Sequence, residues 1–164
     1  MAGTIKNRNE TVLSFQIGGR VIQKNFNIGD RVGAGQVLAI LDQGDTSSQL
    51  QNAEGALAAA QSQYDLAATN VQRYRQLYAE EAISQLQLDQ MENSYKVAAA
   101  QLAQAQANVQ TSANQQNYTQ LTAPADGIIT AASIEVGQVV AAGQTVGTIA
   151  SAMNRKRLLP CRNK

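Results

Sequence analysis

The sequence predicts an α+β fold, in which a small β sandwich is made from two copies of one unit and a long antiparallel α-helical coiled-coil hairpin is inserted between them. Three observations support this prediction. Short β-branched runs separated by glycines occur at both ends of the 164-residue chain, and a stretch rich in Ala and Gln separates them. Within that stretch, apolar residues recur in heptads, which is typical of coiled-coil helices.

The first half of the predicted β domain covers residues 1–45. Leu13, Phe15 and Ile17 alternate with polar residues, which is the period of a strand with one face in solvent. Short runs of Val and Ile between glycines follow as far as Leu41. These runs predict further short strands, because β-branched residues favour strands and glycines mark the turns between them.

Residues 46–118 form the predicted hairpin. Two apolar series repeat every seven residues, each for about four heptads, and they are out of phase with one another. The helix must therefore be interrupted, and we place the turn at about residues 80–84, with Ser84 able to cap the second helix. Two helices of similar length joined by a short turn form an antiparallel hairpin. The first series is Leu50, Leu57, Tyr64, Val71 and Tyr78, and the second is Leu88, Tyr95, Leu102 and Val109.

The second half of the predicted β domain, residues 119–151, repeats the first. Residues 19–41 (GRVIQKNFNIGDRVGAGQVLAIL) align without a gap to residues 127–149 (GIITAASIEVGQVVAAGQTVGTI), with six identical positions. Glycines at matching spacing predict the same turns in both copies. Each copy is too short to bury its own apolar face, so we expect the two copies to pack against each other.

The composition excludes several classes of function. The net charge is +1, and five of the 13 basic residues fall in the last ten positions, so the rest of the chain carries about −4, which argues against nucleic-acid binding. The absence of His and the single Cys161 exclude imidazole bases and ordinary zinc sites. Four carboxylates near glycine turns are interpreted as solvated or capping residues, so an enzyme is the least favoured class and no metal or cofactor is predicted. They are Asp30, Asp42, Asp45 and Asp126.

The ends of the sequence lead to a separate expectation. No apolar run approaches the roughly 18 to 20 residues needed to span a bilayer, and the polar start is unlike a signal peptide. We therefore expect a fragment without a signal, an anchor or a transmembrane segment. Residues 152–164 are polar and basic, and they are predicted to be a disordered tail.

The order of these segments resembles a known family. The two β copies resemble the halves of a split biotinyl/lipoyl-like domain, and with the hairpin the chain resembles the periplasmic adaptor subunits, or membrane fusion proteins, of bacterial tripartite efflux pumps. The residues that carry the resemblance are GDRVGAGQ at 29–36 and LTAPADG at 121–127, on either side of the hairpin. The resemblance implies a periplasmic protein associated with the inner membrane, without chemistry of its own. It would link an inner-membrane transporter, of the resistance-nodulation-division (RND) type, to a TolC-type outer-membrane channel, and it would self-associate into a ring.

The resemblance extends to the predicted hairpin tip. Many adaptors that dock onto TolC-type channels carry Arg, then Leu four residues later and Ser seven residues after that, and Arg73, Leu77 and Ser84 have this spacing. Carried over from the family, Arg73 and Ser84 would make polar contacts to the channel and Leu77 would fill an apolar groove. The alternative interpretation is structural: Arg73 is a solvated position, Leu77 belongs to the apolar stripe, and Ser84 is only an N-cap.

Three alternative functions differ from this reading. A carrier domain for covalent lipoate or biotin needs a lysine on the turn between the halves, whereas Lys24 lies inside the first copy and Lys96 in the second helical arm. No covalent lipoate or biotin is therefore predicted. An adaptor of an ATP-driven export system would have the same architecture. A coiled-coil scaffold unconnected with transport is the third alternative.

Overall fold

The computed structural model describes residues 10–151 and confirms the predicted α+β class. The predicted disordered tail, residues 152–164, lies outside the described residues. The chain forms two compact units, one of β strands and one of helices that spans Gln43–Asn117. In chain order the elements are β1 (Glu10–Ser14), β2 (Gly19–Lys24), β3 (Arg31–Val32), β4 (Val37–Leu41), α1 (Gly44–Ala79), α2 (Gln85–Asn117), β5 (Gln120–Thr122), β6 (Gly127–Ala132), β7 (Val139–Val140) and β8 (Thr145–Ser151).

The strands form two antiparallel sheets, and each sheet contains strands from both copies of the repeat. One sheet has the order β1-β8-β6-β3 and the other β5-β4-β2-β7. The short strand β3 of the first copy pairs with β6 of the second, and β7 of the second pairs with β2 of the first. The two copies thus exchange their short strands, and neither sheet can be completed by one copy alone.

The turns of the two copies have the same conformation, as the aligned glycines predict. Gly29 and Gly137 have φ of 94° and 90°, and Gly35 and Gly143 have φ of 81° and 78°. Glycine suits these positions because residues with a Cβ rarely adopt positive φ. Their backbone hydrogen bonds also correspond: the N–H groups of Gly29, Gly137, Gly35 and Gly143 donate to the carbonyl oxygens of Ile129 (2.8 Å), Val21 (2.7 Å), Ala123 (2.8 Å) and Phe15 (2.8 Å).

A single apolar core lies in this β unit and draws on both copies. Its largest fully buried side chains are Phe15, Phe26, Leu38 and Leu41 from the first half of the β domain and Ile129, Ile134 and Ile149 from the second half. Gly127 has no room for a side chain, because a Cβ there would overlap the side chain of Ile149 and approach the carbonyl oxygen of Ala150 to 2.6 Å. The packing of the two copies on each other is therefore as expected from their repeated sequence.

The two helices pack along the predicted heptad stripes. Stripe residues are buried or half-buried along both helices, with the exception of Tyr78 near the tip, which is 41% exposed. Small residues at the seam, such as Ala60 and Ala98, allow the helices to approach closely. Midway along, the hydroxyl oxygens of Tyr64 and Tyr95 lie 2.9 Å apart, within hydrogen-bonding distance, and their ring centroids are 5.3 Å apart.

Within the described residues, neither helix contains a stretch that is long and apolar enough to cross a membrane.

Candidate partner-binding site at the hairpin tip

The first helix ends in a hydrogen-bonded motif that fixes the path of the chain into the turn. The N–H of Glu81 donates to the carbonyl oxygen of Tyr78 at 3.0 Å, and the N–H of Ala82 donates to that of Leu77 at 2.9 Å. This pair of bonds is the Schellman motif, which usually has glycine at the left-handed position. Here Glu81 occupies that position with φ of 58°, so the chain accepts a backbone strain that glycine would avoid.

The second helix begins with a reciprocal cap. The N–H of Ser84 donates to the side-chain oxygen of Gln87 at 3.2 Å, and the N–H of Gln87 donates to the Ser84 hydroxyl over a longer distance of 3.4 Å. This is a capping box, and it satisfies backbone N–H groups that a helix start leaves free. The Tyr78 hydroxyl donates to Gln85 Oε1 at 2.6 Å and so joins the end of α1 to the start of α2.

The guanidinium of Arg73 faces solvent. The Arg73 side chain is exposed, and within residues 10–151 it forms no hydrogen bond or ion pair. Arg75, two residues later, has its Nε 3.2 Å from Glu92 Oε1. Residues two apart lie on different sides of a helix, so only one of the two arginines reaches this carboxylate.

Arg73 and Leu77 share one face of α1, whereas Ser84 lies beyond the turn. The spacing of four residues between Arg73 and Leu77 places them on neighbouring turns of the same helical face. Leu77 is 38% exposed. Ser84 is exposed, but its hydroxyl and N–H both serve the cap. Of the three predicted site residues, Arg73 and Leu77 are thus available to a partner, and Ser84 has a structural task as well.

Sequence reasoning missed one exposed apolar residue at the tip. Leu86 lies in the first turn of α2 and is 67% exposed. It falls outside the heptad stripe, which begins at Leu88 in this helix. An apolar residue just after an N-cap and off the stripe was the available signal.

Other residues considered from the sequence are engaged elsewhere in the fold. Lys24 Nζ lies 3.3 Å from Glu135 Oε1 and 5.7 Å from the ring centroid of Phe26. Asp30 accepts a hydrogen bond from the N–H of Asn27, and Asp126 accepts one from the N–H of Ala34, each at 2.8 Å. These two carboxylates stabilise turns of the β unit. In the part of the chain that the structure describes, no three acidic or cysteine side chains gather as metal ligands would.

Comparison with known proteins identifies the family. The family model described as "RND MFP, barrel-sandwich hybrid domain" matches residues 9–151, where MFP denotes membrane fusion protein. The multidrug resistance protein MdtA of Klebsiella pneumoniae is 27% identical over 147 residues, and that of Pectobacterium carotovorum is 29% identical over the same length. Each alignment covers 90% of this chain and 36% of the relative, so the chain spans about a third of the length of these proteins.

Solved structures agree in fold. A putative efflux transporter from Bacteroides eggerthii has a TM-score of 0.64 and 28% identity, over 89% of this chain and 40% of that one. A MacA–MexA chimera containing the Pseudomonas aeruginosa MexA α-hairpin domain has a TM-score of 0.66 and 27% identity, over 87% and 48% of the two chains. This chain belongs to the RND membrane fusion protein family, and residues 9–151 are its barrel-sandwich hybrid domain.

Proposed function

We propose that the chain is the hairpin-bearing part of a periplasmic adaptor in a tripartite efflux system. In this role it links an inner-membrane transporter to a TolC-type outer-membrane channel through the hairpin tip. The family match supports an RND-type transporter rather than an ATP-driven one as the inner-membrane partner. Relatives named multidrug resistance proteins and a neighbour named a putative efflux transporter support the link to efflux. The action is mechanical and needs no cofactor.

The observation that carries this proposal is the exposure of Arg73 and Leu77 on one face of α1. An exposed guanidinium with no partner in the described residues stands one helical turn from a leucine that is only partly covered. Arg can bind carboxylates or backbone carbonyls through its planar fork, and a few such anchors supply most of the energy of an interface. Both residues lie on a regular helix whose end is capped, so their backbone is ordered before binding, which lowers the entropic cost of docking.

Self-association into a ring is the second part of the proposal. A ring requires two different flanks of one subunit to be complementary to each other and the rotation between subunits to close. The outward faces of the two helices are largely Gln, Asn and Ala. Such faces bind weakly, so we expect the ring to form together with the transporter and the channel rather than from the isolated chain.

A crosslinking experiment tests the docking role. Leu77→Cys, in a background with Cys161→Ser, is mixed with a TolC-type channel that carries cysteines at its periplasmic helical tips. We expect a specific crosslink whose yield falls about tenfold or more with Arg73→Ala, because the guanidinium contact is lost. Arg75→Ala is the matched control. It removes the same charge two residues from Arg73, but the Arg75 side chain is already paired with Glu92.

Two results would contradict the proposal. The first is a crosslink from Leu77→Cys no stronger than one from a cysteine at Leu66, which is 63% exposed in the middle of α1. The second is an equal loss with Arg73→Ala and Arg75→Ala, because that would show a general charge effect rather than a contact.

A further inference from the structure

We propose that Leu86, in the first turn of α2, is a second apolar anchor of the hairpin tip beside the anchor that Leu77 provides in the last turn of α1. The inference rests on the proposed docking function and adds a residue and a partner geometry to it. In this role Leu86 adds to the strength with which the tip docks.

The setting of Leu86 distinguishes it from an ordinary exposed leucine. Single exposed leucines are common on protein surfaces. Leu86, however, is one of three exposed large apolar residues in the last turn of α1 and the first turn of α2, the other two being Leu77 and Tyr78. The hydrogen bond from Tyr78 to Gln85 holds these two turns at the same level of the hairpin. A partner seated end-on over Leu77 therefore also covers the helix start that carries Leu86.

The residues on either side of Leu86 are held by bonds within the chain. Gln85 accepts from Tyr78 and its amide donates to Asp89 Oδ1 at 3.2 Å. Gln87 is the acceptor of the capping box. With both neighbours fixed, the backbone at Leu86 is ordered before binding. An apolar group on a preorganised turn binds with less entropic cost than one on a mobile loop.

The three tip residues define the chemistry of the partner. Leu77 and Leu86 need two apolar pockets, one for each helix, and Arg73 needs a carboxylate or carbonyl acceptor beside the pocket for Leu77. The end of a TolC-type channel would meet these needs if one of its helical tips presents a groove on each side. A partner with a single groove could accept Leu77 but would leave Leu86 in water.

Binding of the full chain to a purified TolC-type channel tests the inference. Leu86→Gln removes the apolar side chain but keeps a good helix former at an exposed helical position, and Leu86→Met keeps the apolar surface. Burying a leucine side chain corresponds to a gain of about tenfold or more in affinity, so we expect Leu86→Gln to weaken binding by that factor and Leu86→Met to stay within about twofold. Leu66→Gln, at an equally exposed site in the middle of α1, should bind as the original chain does.

The outcomes separate this inference from the proposed function. If Arg73→Ala weakens binding while Leu86→Gln binds normally, the second anchor is wrong and the docking role stands. If the unaltered chain does not bind, both are wrong. Melting temperatures of all variants are compared, and a loss of binding by Leu86→Gln that Leu86→Met shares would also overturn the inference, because a packing or folding defect would then explain it.

Discussion

At the scale of single residues, the proposed docking at the tip depends on which side chains are already paired within the described part of the chain. Arg73 and Arg75 are two residues apart, yet Arg75 pairs with Glu92 and Arg73 pairs with no described residue. Gln85 and Gln87 look alike in sequence, but one bridges the helices and the other caps α2. Identical residue types thus have different tasks, which follow from the helical face that each occupies.

The Tyr64–Tyr95 pair gives a prediction about pH. The hydrogen bond with Tyr95, together with charge repulsion and partial burial, raises the pKa of Tyr64 above its ordinary value of about 10. Because the pKa is higher in the folded state than in the unfolded state, the stabilisation is complete below about pH 10 and is lost as the pH rises above that value. Tyr95→Phe should lower the pKa of Tyr64 and flatten the dependence of the melting temperature on pH in this range.

Tyrosinate absorbance followed during alkaline titration measures this effect. Tyr64 should titrate late in the unaltered chain, and that late step should move to lower pH in Tyr95→Phe. Titration curves that differ only by the loss of one tyrosine would contradict the prediction. Tyr118→Phe, which alters a tyrosine outside the helical seam, is the control.

At the scale of elements, the hairpin depends on a turn that has a Schellman motif and a capping box but lacks the usual glycine at the left-handed position. The Schellman bonds and the capping box satisfy the backbone groups of both helix ends. Glu81 departs from the rule that the left-handed position of the motif is glycine. Five residues lie between the last residue of α1 and the first residue of α2. This turn accounts for the phase shift between the two heptad series.

The capping role of Ser84 can be separated from its proposed contact with the channel by substitution. Loss of an N-cap costs about 1 kcal/mol, so Ser84→Ala should lower the free energy of unfolding by that amount, whereas Ser84→Asp should retain it. Urea denaturation followed by helical circular dichroism measures both. If Ser84 also contacts the channel, Ser84→Asp should weaken docking without loss of stability. Equal stability of the Ala and Asp variants would show that the cap contributes nothing.

At the scale of the whole molecule, the β unit is one folding unit made from two distant segments. Each short strand completes the sheet of the other copy, and the buried residues of both copies meet in one core. The hairpin is therefore inserted between two halves that depend on each other. Separate halves would leave apolar faces and strand edges in water.

This dependence predicts how the pieces behave. A peptide of residues 119–151 should lack stable strands, because β5 and β7 have lost β4 and β2, their partners in the first copy. Nuclear magnetic resonance of the peptide should show the narrow amide dispersion of an unfolded chain. Addition of a peptide of residues 10–42 should broaden that dispersion if the two copies can find each other. A well-dispersed spectrum of residues 119–151 alone would contradict the prediction.

Much of the fold could be predicted from local patterns. The heptads predicted a hairpin whose stripe residues, apart from Tyr78, the structure shows to be buried or half-buried, and the repeated glycines predicted turns with matching positive φ. These features follow from local geometry, because helical period and the freedom of glycine act over a few residues. Arg73, Leu77 and Ser84 could be proposed from their spacing, and their role in docking stays a prediction.

By itself, then, the sequence determined which segments are helical and which are strands, the duplication of the β unit, and the candidate residues near the tip. Only the tertiary structure decided that the copies exchange β3 and β7, that Arg75 rather than Arg73 meets Glu92, and that Leu86 stays exposed. The physical reason is that strand pairing, ion pairs and burial join residues far apart in the chain. Which residues meet depends on how whole elements pack, and the local periodicity of the sequence does not specify that packing.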